Sequence, residues 1–143
     1  MIDPTLRTAY LNTRYVVTVG GQYLTLKIGE ASPELDDILG ARSIEMAAVV
    51  TAWNPRSQCL PREENLDRGN ALSSVVHDLG LETLPVVATL GDPHWIEHGL
   101  LILGIHEGLA CQLGRQFAQN AIVTVTRGNV PQLIELINPG EAS

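Results

Sequence analysis

Apolar positions along this chain switch between the two-residue spacing of strands and the three-to-four spacing of helices, and the switches divide it into elements. Tyr15 to Val19 and Gln22 to Ile28 are strand-like runs, and Gly20-Gly21 between them supplies the positive φ angles of a tight hairpin. Ser32-Pro33 then opens a short helix ending near Gly40, with Ser32 as the cap and Pro33 at the first helical position. From Met46 the pattern predicts a strand to Trp53, a helix from Pro61 to Leu79 stopped by Gly80, and a strand from Leu84 to Leu90. A turn at Gly91-Asp92-Pro93 leads to an apolar strand from His98 to Ile105, a helix from His106 to Ala118 and a strand from Ala121 to Thr126. Val130 to Ile137 is expected as a terminal helix before a short flexible tail, Pro139 to Ser143.

Strand-helix-strand-strand-helix-strand is the order of the split βαβ arrangement. The expected fold is therefore α+β in a single domain: a ferredoxin-like βαββαβ core over residues 46–127, an N-terminal hairpin and helix layer (1–45), and a C-terminal helix and tail (128–143). In such a sheet the strands stand in the order last, first, third, second. One edge then gathers the Asn54 to Leu60 loop, the start of the long helix, the Asp92 to Glu97 turn and the Phe117 to Asn120 junction. Ala47 to Ala52 and Leu100 to Leu103 are apolar on both sides, so both sheet faces need cover, from the hairpin layer or from a second copy in a homodimer.

One polar pair breaks the pattern of the long helix. Leu72, Val76 and Leu79 form an apolar stripe that, projected back, contains Asn65 and Arg68 with Glu64 on its flank. A guanidinium facing a sheet must be paired, and Glu64 one turn earlier, Asp92 or Glu97 could serve. Such a network is either a structural tie or a site. Upstream, Trp53-Asn54-Pro55-Arg56-Ser57 leaves a strand toward a helix start, where backbone N–H groups, Asn54 and Ser57 could hold an anion, or could merely shape the turn. Downstream, Trp95 adds an indole, and His94 and Glu97 could exchange protons. The ligand-binding candidates are thus Asn54, Ser57, Asn65, Arg68 and Trp95, and the acid–base candidates Glu64, His94 and Glu97.

Other chemistries fit less well. The Asp92 to His98 turn bends into a strand, which splits its ligating side chains between two faces, so no metal is expected there. Ser57 lacks a nucleophile elbow. His77 and His106 fall at the opposite edge of the sheet, and Arg115 faces solvent. Leu109, Ala110, Leu113 and Phe117 face the sheet, whereas Cys111, Gly114 and Ala118 make a strip of small residues on which another element could pack.

Composition narrows the partners. Nine basic against sixteen acidic side chains give a net charge of −7, unsuited to nucleic-acid backbones, although a single arginine can still bind an anion. No apolar run approaches a membrane span, and Met1 to Arg14 lacks the features of a signal peptide, so a cytoplasmic location is expected. Cys59 and Cys111 lack metal-site spacing and are expected as free thiols.

Ala52-Trp53-Asn54-Pro55 with Ser57, Glu64-Asn65 with Arg68, Trp95-x-Glu97 and Phe117-x-Gln119-Asn120-Ala121 resemble a bacterial family of small proteins known only as a domain of unknown function. The family pattern reads AWNP, a serine, EN, an arginine, W-x-E and FGQNA. The chain departs from it at Ala118, where glycine is expected, and at His98-Gly99, where Pro-Ser is expected. The resemblance implies no reaction, but it picks out the residues that the topology gathers on one edge. Two functions remain open: binding of an anionic metabolite or nucleotide around Arg68, with or without catalysis and with no cofactor, or a noncatalytic interaction module whose polar edge is structural.

Overall fold

The computed structural model describes residues 2–91 and 95–136. Four helices and seven strands follow one another as α1 (Pro4–Asn12), β1 (Arg14–Val19), β2 (Gln22–Leu26), α2 (Pro33–Ala41), β3 (Met46–Thr51), α3 (Arg62–Asp78), β4 (Thr83–Leu90), β5 (Trp95–Leu103), α4 (Glu107–Gln116), β6 (Ala121–Thr126) and β7 (Gln132–Glu135). All seven strands form one antiparallel sheet, in the order β2-β1-β4-β5-β3-β6-β7, curled into a half-barrel.

Alternation along the central strands assigns the two faces. Ala48 and Val50 of β3, and Ala52 just after it, with Ile102 and Ile122 meet Leu72 and Val76 of α3, Ala110 and Leu113 of α4, and Phe117 at its end. Their neighbours Ala47, Val49, Leu101, Leu103, Val123 and Val125 point to the opposite, concave face, where Leu35 and Leu39 of α2 and the inward residues of β1 and β2 close the core. The cover for the second face therefore comes from α2 and the curl of the sheet.

Three expectations are corrected. The fold is α+β, but the sheet has seven strands where a four-stranded core was expected. An uncovered strand edge is a row of unpaired N–H and C=O groups, and here both outer edges recruit more strand. β1 pairs with β4, with Tyr15 opposite Ala88, so the N-terminal hairpin extends the sheet and does not layer over it. At the other edge, the expected helix from Val130 to Ile137 is not formed by its described residues, 130–136. Pro131 introduces β7, which pairs with β6 through Ala121 opposite Glu135 and Ile122 opposite Ile134. An eight-residue apolar segment cannot be assigned by periodicity alone, and here the open edge of β6 decides for strand. The expected tail, Pro139 to Ser143, lies outside the described residues.

The first helix, α1, is not in the expected set. Its signal is nevertheless present: Asp3 accepts hydrogen bonds from the Thr5 and Leu6 N–H groups, and Pro4 opens the helix. Glu135 holds the segment down, accepting from the Ile2 N–H at 2.8 Å and from Arg7. The small-residue strip of α4 also finds its occupant within the chain. A Cβ at Gly114 would stand 2.4 Å from Leu136 Cδ1, so the segment after β7 packs where glycine leaves room. Both Cys59 and Cys111 are free thiols. Among the described residues no helix is long and apolar enough to cross a membrane.

Candidate functional site

At the end of β3 the backbone turns abruptly. Asn54, Arg56 and Ser57 adopt positive φ angles of 48°, 54° and 60°, and Ala118 at the end of α4 adopts 56°. Side chains other than glycine reach this region only at a cost, so the surrounding bonds must hold it. Two asparagines do so reciprocally. The Asn54 N–H donates to Asn65 Oδ1 at 2.9 Å, and Asn65 Nδ2 donates to Asn54 Oδ1 at 2.8 Å and to the Leu60 carbonyl at 3.3 Å. Asn54 Oδ1 also accepts from the Leu60 N–H at 3.0 Å, leaving its own Nδ2 to reach across the sheet edge to Glu97 Oε2 at 3.1 Å. Asn65 thus sits in the apolar stripe of α3 as a buried lock for the loop.

Arg68 completes the lock. Its guanidinium donates through Nε to the Ala52 carbonyl and through Nη2 to the Phe117 carbonyl, tying the exit of β3 to the end of α4. Gln119 Nε2 bonds the Trp53 carbonyl at 3.0 Å, the Arg56 N–H bonds the Ala118 carbonyl at 2.7 Å, and Asn120 Nδ2 bonds Ser57 Oγ at 2.8 Å. The expected pairing of Arg68 with Glu64 does not form: Glu64 is exposed, and among the described residues no ion pair involves Arg68. The carbonyls that follow β3 and α4 take the guanidinium instead, and the Phe117 carbonyl accepts from Gln119 Nε2 as well, at 3.2 Å. Asp92 and His94 lie outside the described residues. The loop's own donors are similarly committed, with the Ser57 N–H on the Asn54 carbonyl at 2.9 Å.

On the concave side of this edge lies a cavity of about 260 Å³, open to solvent on one side. Its walls are mainly apolar, from Leu6 and Ala9 of α1, Val86 and Ala88 of β4, and Val49 and Val123 of the central strands. Its polar groups are Tyr10, Tyr15, Ser57, Trp95, Glu97 and Gln119, with Thr13 and Thr51. Burial pushes the Glu97 carboxyl up to about 7, although hydrogen bonds from Asn54 and Trp95 partly offset it. Burial likewise pushes the Tyr10 phenol up to about 12, opposed by its bond with Ser57 and reinforced by the nearby Glu97 charge. Tyr15 is also raised by burial, so both phenols stay protonated at neutral pH.

Of the residues expected at a site, Ser57, Trp95 and Glu97 line the cavity. Asn54 touches it through Glu97, Asn65 and Arg68 stand behind the loop as its support, and Glu64 points away into solvent. Gln119, which the sequence places on this edge without naming it as a ligand-binding candidate, lines the cavity too, and Tyr10 and Tyr15 were missed. Tyr10 was findable, because Leu6, Ala9, Tyr10 and Thr13 fall at helical spacing after the Asp3-Pro4 cap and all four face the cavity. Trp53 lies on the other side of the sheet, its ring 4.8 Å from that of His98 and close against Gly69. His106 has a structural role, capping α4 by accepting the Leu109 N–H at 3.2 Å. Among the described residues no group of three or more His, Cys, Asp or Glu is placed to hold a metal ion.

Comparison with protein families matches residues 50–122 to the family described as protein of unknown function DUF3293. Neither the curated proteins nor the solved structures contain a match to the chain. The family match spans just over half of the sequence and contains every residue of the loop lock, from Asn54 to Asn120. The chain belongs to the DUF3293 family.

Proposed function

We propose that this member of the DUF3293 family binds a small organic molecule in the cavity beside the loop lock, with Glu97 as the group that exchanges a proton with it. The observation that carries this reading is a carboxyl set in a mainly apolar wall and tuned to about 7, the range in which a side chain can serve either as acid or as base. A cavity of about 260 Å³ is close to the lower end of small-molecule sites, roughly 300–1,000 Å³, so the occupant is small. The four positive-φ residues of the adjoining loop lock, of which Ser57 lines the cavity, agree with backbone strain held for a purpose.

This reading moves the centre of the site from Arg68 to Glu97. Arg68 does not line the cavity, and its bonds to two carbonyls support a structural role in place of anion binding. By the same reading, β3 to β6 with α3 and α4 form a ferredoxin-like unit within the larger sheet, supported by the strand order β6-β3-β5-β4. A noncatalytic interaction module is the second reading, favoured by one observation: β2 is an edge strand whose Tyr23 is 77% exposed, a surface on which a second copy could pair.

The test is a thermal-shift screen of small neutral, cationic and anionic metabolites against the wild type and Ala88→Leu, whose larger side chain fills the cavity. Stabilising compounds that lose their effect in the folded variant support the cavity reading. Silence across the screen, with a dimer in sedimentation that Tyr23→Lys dissociates, refutes it in favour of the second reading.

A further inference from the structure

The proposed cavity has an uneven set of charges. Glu97 is the only acidic side chain in its wall, and no Lys, Arg or His lines it among the described residues. The groups near Glu97 from each surrounding element are uncharged: Tyr10 of α1, Tyr15 of β1, Asn54 and Ser57 of the loop, Trp95 of its own strand, and Gln119 after α4. Arg68 is committed to carbonyls behind the loop, and His98, the next residue along β5, turns to the other side of the sheet against Trp53. A half-buried carboxyl without a counter-charge is a standing cost to the fold that a glutamine would avoid. A cation supplied from outside would remove that cost.

The groups around the carboxyl have the matching chemistry. Tyr10, Tyr15 and Trp95 bring three aromatic side chains to one small cavity, and aromatic faces attract cations, most strongly where water is excluded. Resting on the small-molecule reading above, we infer that the occupant carries an ammonium group, held among Tyr10, Tyr15 and Trp95 with Glu97 as its counter-ion. The phenols strengthen the case because both remain neutral at physiological pH and so add no second negative charge. Asn120 Nδ2 donates to Ser57 Oγ, and Ser57 in turn bonds with the Tyr10 hydroxyl, which adds a polar group to the cavity wall.

Three probes of one shape and different charge separate this inference from the reading beneath it: choline, its uncharged carbon isostere dimethylbutanol, and the corresponding acid anion dimethylbutanoate. Binding to the full chain is measured by calorimetry. Choline is expected to bind about tenfold or more tighter than dimethylbutanol at pH 8, and dimethylbutanoate weakest. Because choline has no titrating proton, its affinity should follow Glu97, losing about its tenfold advantage between pH 8 and pH 5 as a carboxyl that titrates near 7 takes up its proton, while the alcohol's stays level. Glu97→Gln should abolish both the preference and the pH dependence, and Ala88→Leu should abolish binding of all three. If Glu97→Gln fails to fold, the pH profile of the wild type still decides. Equal or tighter binding of the alcohol or the anion overturns the ammonium inference and leaves the cavity reading standing. Choline binding that is unaltered in Ala88→Leu or Glu97→Gln overturns the assignment to this cavity. Failure of all three probes to bind overturns the inference, and failure of the broader metabolite screen as well overturns the cavity reading with it.

Discussion

Replacing Arg68 by methionine separates a structural arginine from one that waits for an anion. Methionine keeps an unbranched stem of similar length, so packing along α3 survives and only the guanidinium is lost. In the wild type that group donates to the Ala52 and Phe117 carbonyls. A hydrogen bond from a charged donor contributes roughly 1.5–3 kcal/mol, and a guanidinium partly open to water belongs near the lower end, so the two together give about 3 kcal/mol. Against a total stability of roughly 5–15 kcal/mol for a domain, that is a large fraction. Urea unfolding followed by the fluorescence of buried Trp53 should show a midpoint lowered accordingly at unchanged slope. Arg68→Lys can reach one carbonyl but not both, and should lose roughly half as much. A loss below about 1 kcal/mol for the methionine variant would refute the clamp, and a gain in stability would indicate an arginine held against an empty anion site.

Glu97→Gln tests the cost of the cavity carboxyl. With the folded-state value raised from 4.5 to about 7, the folded protein binds more protons than the unfolded chain between those values, so wild-type stability is highest below pH 4.5 from this group and falls as pH rises to 7. The loss is on the order of 3 kcal/mol and should vanish in the variant, read as melting temperature across pH 5 to 8; equal slopes in the two proteins would contradict it. Gly99→Ala places a Cβ 2.7 Å from the Val50 carbonyl oxygen, a backbone atom, so β3 and β5 must separate; a loss of about 2 kcal/mol or more is expected from denaturant unfolding. Gly114→Ala meets Leu136 Cδ1 at 2.4 Å and Ile122 Cγ2 at 2.8 Å, and the overpacking should outweigh the gain in helix propensity by about 1 kcal/mol. Leu136→Ala in the same chain should recover part of that loss, and strict additivity of the two changes would show that they do not touch.

The sequence by itself determined the elements of the middle of the chain, because there the signals are local. Gly20-Gly21, Ser32-Pro33 and Gly80 mark their turns and ends through backbone geometry that few other residues supply, and the observed hairpin, α2 and α3 follow them closely. Ala121–Thr126 is a strand over the range its apolar run predicts. The edge that gathers Asn54, Arg68, Glu97 and Gln119 was also legible, since strand order alone brings those segments together. What the sequence left undecided depends on partners distant along the chain. Whether residues near Gln132 became helix or strand depended on the open edge of β6, and whether the hairpin covered the sheet or extended it depended on the open edge of β4. The roles within the polar edge were decided the same way. Asn65 and Arg68 stand out in the helical stripe because they are polar among apolar residues, but only the positions of the Ala52 and Phe117 carbonyls made Arg68 a clamp. Glu97 was one of three acid–base candidates in the sequence, and only α1, whose cap lies more than ninety residues away, set it apart by placing Tyr10 beside it and closing the wall that raises its affinity for a proton.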